Sequence, residues 1–443
     1  MFLLSLLHFL VDGICACGVM MMSRQIISNV EANAIIVLYD VLAFGTQPFT
    51  GRWVDGKGAS PHGLKLAAAL LAGGALISAF PVSQTFLIAM MGAILLGMGN
   101  SLFHVYGGKY VAVASHNDIR VMGVFVSTGA VGLAIGLGYY SPMLLGAFLF
   151  VFLALSFLHL FYVYYGLQSL EASPTMQSLE ASPTMQSLEA SPTTMSSVPV
   201  LLLSCLMMVV AGRAFIGESV PSLATSIPTM SAPMTMVVVS IIVMMGKAAG
   251  GFLSRWWGVR DVFIVSMLLS GTFFLMCLWH DGYVLTTLFL INLSMPCTLY
   301  WATKAVPGRE GRAFGLLAMA LLPGYLFGHL AKHDATCQLL LVPLMGTIVL
   351  ESLLLLFMRE RRWQVLAASV LLNILTNVPL NAFIMAYGVA SPLYLVGLEA
   401  LVVAVEFIGY WLVLRNWRRA FMYSLLCNVF SALVGLLFQL LFS

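Results

Sequence analysis

Apolar runs of about 20 residues recur along the whole chain, parted by short polar turns; a helix of that length crosses the ~30 Å hydrocarbon core of a bilayer. Inside hydrocarbon every backbone N–H and C=O must be satisfied within its own element, so helices are forced and open sheets excluded. The short alternating strands of a membrane barrel are not seen. Composition points the same way: 61% hydrophobic and only 8% charged residues cannot clothe a soluble fold of 443 residues. The expectation is an all-α integral membrane protein.

Breaking the chain at polar turns places helices near 1–22, 33–50, 63–83, 85–108, 119–139 and 142–166, then 198–220, 234–254, 261–279, 283–303, 312–331 and 337–358. Three further runs follow near 364–387, 392–414 and 420–442. The first run has no Lys or Arg before Arg24, so it lacks the basic start of a cleaved signal and reads as a retained helix. Threading from a cytoplasmic N-terminus puts Arg52, Lys57, Lys65, Lys109, Arg120, Arg255, Arg260, Lys304, Arg309, Arg312 and the arginines of 359–362 and 415–419 on one side. Only Arg24 and Lys332 fall on the other. With fifteen spans the C-terminus lies outside. The cysteines form no CxxC pair, so neither a disulfide framework nor a zinc site follows.

The chain divides into two similar halves. Gly51-Arg52-Trp53-Val54-Asp55-Gly56-Lys57-Gly58 reads as a charged turn, and its glycine spacing returns in Gly251-Phe252-Leu253-Ser254-Arg255-Trp256-Trp257-Gly258, with Arg255 in the place of Asp55. After Arg120 glycines fall at Gly123, Gly132 and Gly136; after Arg312 they fall at the same offsets, Gly315, Gly324 and Gly328. Small residues let helices approach closely where packing replaces the hydrophobic drive, so the fifth and eleventh helices are expected at the interface between halves. The halves are joined by Gln-Ser-Leu-Glu-Ala-Ser-Pro-Thr-Met repeated from Gln168, Gln177 and Gln186, which reads as a flexible cytoplasmic linker. Display of Glu171, Glu180 and Glu189 to a binding partner is the other reading.

Two six-helix halves, a polar central linker and Gly-x-x-x-Asp-x-x-Gly between the second and third helices resemble the major facilitator superfamily, over residues 1 to about 358. The runs His8-Phe9-Leu10-Val11-Asp12-Gly13 and Gly99-Asn100-Ser101-Leu102-Phe103-His104 resemble its fosmidomycin-resistance-type branch, although Val105 stands where that branch often has proline. The arginine common in the fourth helix of proton-coupled members is also missing, with Ala93 near its place. The resemblance implies two pseudo-symmetric six-helix bundles at 1–166 and 198–358 with a linker at 167–197; the additional three-helix segment expected at 359–443 lies outside it. The resemblance also implies a cytoplasmic gate at Gly51, Asp55 and Gly58, with Arg120, Arg255 and Arg312 around it. Asp55 can accept from amide groups at a helix N-terminus or pair with an arginine, holding the halves together in one state. The other reading is a merely charged turn.

An ionisable side chain at mid-bilayer costs at least ~2.5 to 3.5 kcal/mol on insertion scales, so each one needs a partner or an aqueous path. His8 and Asp12, one turn apart, can form a hydrogen-bonded pair that binds and releases a proton, or Asp12 can simply lock helix packing. Asp40, beside Tyr39 and with Gln47 two turns on, is a second candidate for proton or substrate contact, or for packing. Asn100 and His104 share a face of the fourth helix, and Arg213 interrupts the seventh, where it can attract an anion or pair with Asp12 or Asp40. Lys247 reads as structural, its stem reaching to the interface, and Glu218 as interfacial. The 27 methionines include no same-face series; adaptable packing is set against a cuprous-ion path, and no metal site is assigned. In the last three runs, Asn373, Asn377 and Asn381 with Glu399 and Glu406 form at least a polar seam.

The resulting expectation is a secondary active transporter that exports a small organic compound in exchange for protons, with Asp12 as proton carrier and Asp40, His104 and Arg213 along the path. The alternatives are a proton-linked importer of an organic anion organised around Arg213, and a transport-derived membrane sensor or assembly scaffold. No P-loop is present, so ATP-driven transport is not expected. The reading further implies no enzymatic activity and no cofactor, a small-molecule substrate, the proton as coupling ion and the lipid bilayer as surroundings. No nucleic-acid partner, a monomer, and a plasma membrane location (the inner membrane in a bacterium) complete it.

Overall fold

The computed structural model describes residues 2–26, 28–57, 61–80, 85–171, 197–219, 230–277, 281–333, 344, 346–348, 350–352, 354–355, 357–358, 360, 362–388 and 392–442. Among these there is no strand, and twelve helices are long and apolar enough to cross a membrane. The helices are α1 (Phe2–Gln25), α2 (Asn29–Asp40), α3 (Gln47–Gly56), α4 (His62–Ala79), α5 (Phe86–Ala114), α6 (Ile119–Gly138) and α7 (Pro142–Glu171). There follow α8 (Ser197–Ser219), α9 (Ala232–Trp257), α10 (Val259–Cys277), α11 (Val284–Ala305), α12 (Glu310–Met319), α13 (Leu321–His333), α14 (Trp363–Tyr387), α15 (Pro392–Leu414) and α16 (Trp417–Phe442). Most of the repeat linker, half of the run at 337–358, and Gly58 lie outside the described residues.

The helix boundaries have local causes. Asp118 caps α6, its carboxylate accepting from Arg120 N at 2.9 Å, which satisfies a donor left free by the first turn. Gly258, at φ 91°, ends α9 in a conformation that suits a residue without Cβ. The second span is broken into α2, a π-helical turn over Val41–Gly45, and α3. Such a turn loosens the regular ladder, and neighbouring side chains engage its carbonyls: Thr46 Oγ1 donates to Leu42 O at 2.6 Å and Gln47 Nε2 to Ala43 O at 2.9 Å. Ser101 Oγ on α5 lies 2.8 Å from Thr46 Oγ1 and 3.0 Å from Thr50 Oγ1, fastening the irregular segment.

Two sequence expectations are corrected here. Gly51 to Gly56 is not a turn: these residues are the end of α3, and the chain turns only at Lys57. In the echo, Gly251 to Trp257 is likewise helical, and only Gly258 has a positive φ. The spacing marks close helix contact rather than a bend. The two-turn spacing expected between Asp40 and Gln47 is also not regular, because the π turn over Val41–Gly45 lies between them.

The chain packs as two units, one comprising Met1–Ser266 and Val284–Leu326, the other Met267–Tyr283 and Phe327–Ser443. In the first, α1 packs on α6, α6 on α9, and α3 on α12. Gly123 of α6 meets the backbone of Lys247 and Gly251 on α9, and Gly51 of α3 meets Gly311 and Arg312 on α12. Each fifth-span helix therefore crosses the second-span helix of the other half at a point without side chains. A core around Leu7, Ile14, Phe103, Phe125 and Phe152 fills the interior of this unit. In the second unit Leu355, Val365, Leu372, Tyr410, Tyr423 and Cys427 form a core of their own.

Candidate functional site

Three ionisable side chains meet inside the first unit. His8 and Asp12 stand one turn apart on α1, as the spacing requires, with His8 Nε2 at 3.4 Å from Asp12 Oδ2. His104 of α5 joins them, its Nε2 at 3.3 Å from Asp12 Oδ1 and 2.9 Å from His8 Nε2. The far nitrogen of each ring is fixed by backbone: His8 Nδ1 lies 2.6 Å from Phe125 O, and His104 Nδ1 lies 3.0 Å from Asn100 O. A carbonyl only accepts, so Nδ1 carries the hydrogen in both rings. The two Nε2 atoms then face each other as lone pairs unless a proton lies between them. The geometry is that of an imidazole pair sharing one proton, with the Asp12 carboxylate beside it as counter-charge.

Space for this cluster comes from α6. A Cβ on Gly129 would fall onto Asp12 Oδ2 and 2.6 Å from His8 Nε2, so only glycine leaves room for both rings and the carboxylate. Phe125 stacks on His8 with ring centroids 4.8 Å apart. Asn100 continues the polar network, its Nδ2 donating to Tyr39 Oη at 3.0 Å. His8, Asn100 and Tyr39 are all buried.

Arg213 on α8 is buried, and its Nη1 has no hydrogen-bond partner. Among the described residues it makes no ion pair with Asp12 or Asp40, the pairings its position on the sequence suggested. Lys247 on α9, read from sequence as structural, lies within electrostatic reach of Asp12, His104 and Arg213. Asp40 is not part of the cluster; its carboxylate lies near enough to Glu218 for the two to repel. Lys247 is thus within electrostatic reach both of the carboxylate and imidazoles of the cluster and of the Arg213 guanidinium. Positive charge is in excess.

At the end of the unit where α3 meets α12, Asp55 accepts from the backbone N–H of Gly311 at 2.9 Å and of Arg312 at 2.8 Å, across the two halves. Lys109 Nζ stands 3.3 Å from the same carboxylate and donates to Val54 O at 3.1 Å. Asp55 thereby caps α12, where the first turn has free donors and the helix dipole favours an anion. The arginines expected around it behave differently. Arg312 contributes its backbone, Arg120 turns back onto Asp118 at 2.6 Å, and Arg255 is exposed.

No protein-family profile matches the chain, and no curated protein matches it by sequence. Solved structures do. A crystal structure of a Major Facilitator Superfamily transporter, FucP, in the outward conformation superposes with a TM-score of 0.51 at 16% identity, covering 75% of this chain and 92% of that one. The fold is that of the major facilitator transporters. A structure of the E. coli fucose:proton symporter FucP aligns with a TM-score of 0.49 at 14% identity, over 75% of this chain and 91% of that one. The pairing of α3 with α12 and of α6 with α9 is the internal symmetry of such a two-half bundle.

Proposed function

We propose that the protein is a secondary active transporter that moves a small organic anion together with a proton by alternating access. The reading is carried by the His8–Asp12–His104 cluster, a buried proton site with both imidazoles oriented by backbone carbonyls. Arg213 and Lys247 supply the anion contact. A proton on the cluster and an anion at the guanidinium attract each other, so occupancy of one favours the other, which is the thermodynamic requirement of symport. Exchange of a proton for a substrate would need the two to repel. Uptake driven by inward proton movement is therefore preferred here over the export to which the branch resemblance points.

Asp55 is the latch of this cycle: its two bonds to α12 hold the halves together at one end, and their release opens the path there. The positive-inside bias makes that end cytoplasmic, with the N-terminus on the same side, in a plasma membrane. Residues 1–166 and 198–358 form the two moving halves, 167–197 the linker and 359–443 the added segment.

The test is uptake of a panel of radiolabelled mono- and dicarboxylates into proteoliposomes under an imposed inward proton gradient. Gradient-driven accumulation should occur in the wild type and vanish in Asp12→Asn, with Arg213→Gln losing substrate affinity. A proton flux unchanged in Asp12→Asn would remove the cluster from the mechanism.

A further inference from the structure

The second unit contains its own buried carboxylates. Glu351 is fully buried, and its Oε2 accepts from Asn373 Nδ2 at 2.6 Å and Ser369 Oγ at 3.5 Å, both on α14. Glu406 on α15 is 1% exposed; its Oε1, 3.0 Å from Thr376 Oγ1, shares that hydroxyl's one hydrogen with Leu372 O at 2.8 Å, and its Oε2 accepts from Asn428 Nδ2 of α16 at 2.5 Å. The two carboxylates are near enough to interact electrostatically. Among the described residues neither has an ion-pair partner, and every donor to them is a neutral amide or hydroxyl.

Two buried polar atoms in this cluster are unpartnered. Glu351 Oε1 has no hydrogen-bond partner, and neither has the hydroxyl of Tyr410, a residue with no exposed surface that lies within electrostatic reach of both carboxylates. The other titratable groups facing the site are Glu399, one turn-pair before Glu406 on α15, and Cys427 on α16. Two adjacent buried carboxylates cannot both stay ionised without a positive partner. What that partner is follows from counting acceptors. A metal ion with oxygen ligands draws on roughly six converging atoms, whereas both Glu406 oxygens and one Glu351 oxygen are already engaged. One carboxylate oxygen is left, which is the requirement of one proton.

We propose that Glu351 carries a bound proton on Oε1, with Glu406 as its ionised neighbour, making a second proton-binding site in the unit that contains α14 to α16. Glu406 keeps its charge because both of its oxygens accept hydrogen bonds. Glu351 takes the proton because one of its oxygens accepts none. Asn373, Thr376 and Asn428 fix which carboxylate is which.

The experiment is infrared difference spectroscopy of the full chain in nanodiscs, following the C=O stretch of protonated carboxylic acids at pH 7 in H2O and D2O. A band that is lost in Glu351→Gln and retained in Glu406→Gln and Asp12→Asn is the expected result. Absence of the band in the wild type, or its persistence in Glu351→Gln, would overturn the assignment. So would its loss on adding NaCl to a choline chloride buffer, which would give the site to sodium. If Glu351→Gln does not fold, Tyr410→Phe serves instead: removing the neighbouring hydroxyl should shift the band, and an unshifted band would place the proton elsewhere.

Discussion

Replacing Asp55 by asparagine tests the latch with almost no change of shape. The carboxylate, 9% exposed, takes the N–H groups of Gly311 and Arg312 at 2.9 and 2.8 Å and has Lys109 Nζ at 3.3 Å. Asparagine keeps one acceptor oxygen and presents an NH2 to the other amide, donor against donor, while the attraction to Lys109 and to the start of α12 is lost. One charge-assisted bond is worth ~1.5 to 3 kcal/mol, so the contact between halves should weaken by ~10- to ~150-fold in population. Spin labels at Lys57 and Pro307, both exposed, report the distance across this end. The wild type should give one short distance and Asp55→Asn a second, longer population. Arg255→Gln in the mirrored position is the control: that side chain is exposed and bonds to no described residue, so the distribution should not change. Superimposable distributions for wild type and Asp55→Asn would refute the latch.

Other expectations follow from the same contacts. Gly129→Ala should cost ~1 to 3 kcal/mol of stability by overpacking and displace the imidazoles, abolishing proton-coupled uptake in vesicles; near-normal coupling would show that the cluster tolerates rearrangement. Arg213→Lys should retain partial uptake and Arg213→Gln should raise KM at least tenfold, by initial rates, since a point charge replaces part of a guanidinium's function. Outside the membrane spans, Glu360 accepts from Arg362 N, Nε and Nη2 and from Tyr423 Oη. The Arg362 bonds hold its carboxyl down to about 2, below the ordinary 4.5. Its folded value is the lower one, so this stabilisation is complete above pH 4.5 and fades as pH falls toward 2. Thermal unfolding of Glu360→Gln should therefore depend less on pH across that window than the wild type, and parallel curves would remove the linkage.

Much of the site was legible before folding, and the reasons are local. His8 and Asp12 lie on one helix, where a spacing of four fixes their proximity. Asn100 and His104 share a turn for the same reason. That His104 reaches Asp12 depends on the rotation of α5 against α1, which no helical spacing specifies. Gly129 sat in a run of small residues with nothing to mark it as the one facing the cluster. Lys247 looked structural because its depth was visible and its neighbours were not. The stretch around Asp55 is conspicuous as charge and reads as a turn although it is helical, since glycine serves both positive φ and close helix contact, and sequence alone does not separate the two.

The sequence by itself determined that the chain is helical and membrane-embedded, that it has two similar halves, and where most helices run. The bilayer forces each apolar run to satisfy its own backbone, and that constraint is one-dimensional. Tertiary structure decided which faces meet: the imidazole pair around Asp12, the cap that Asp55 places on a helix more than 250 residues away, and the asymmetric bonding of Glu351 and Glu406. Those depend on helix rotation and on one π turn in the second span, which are set by packing between distant segments and leave no period in the chain.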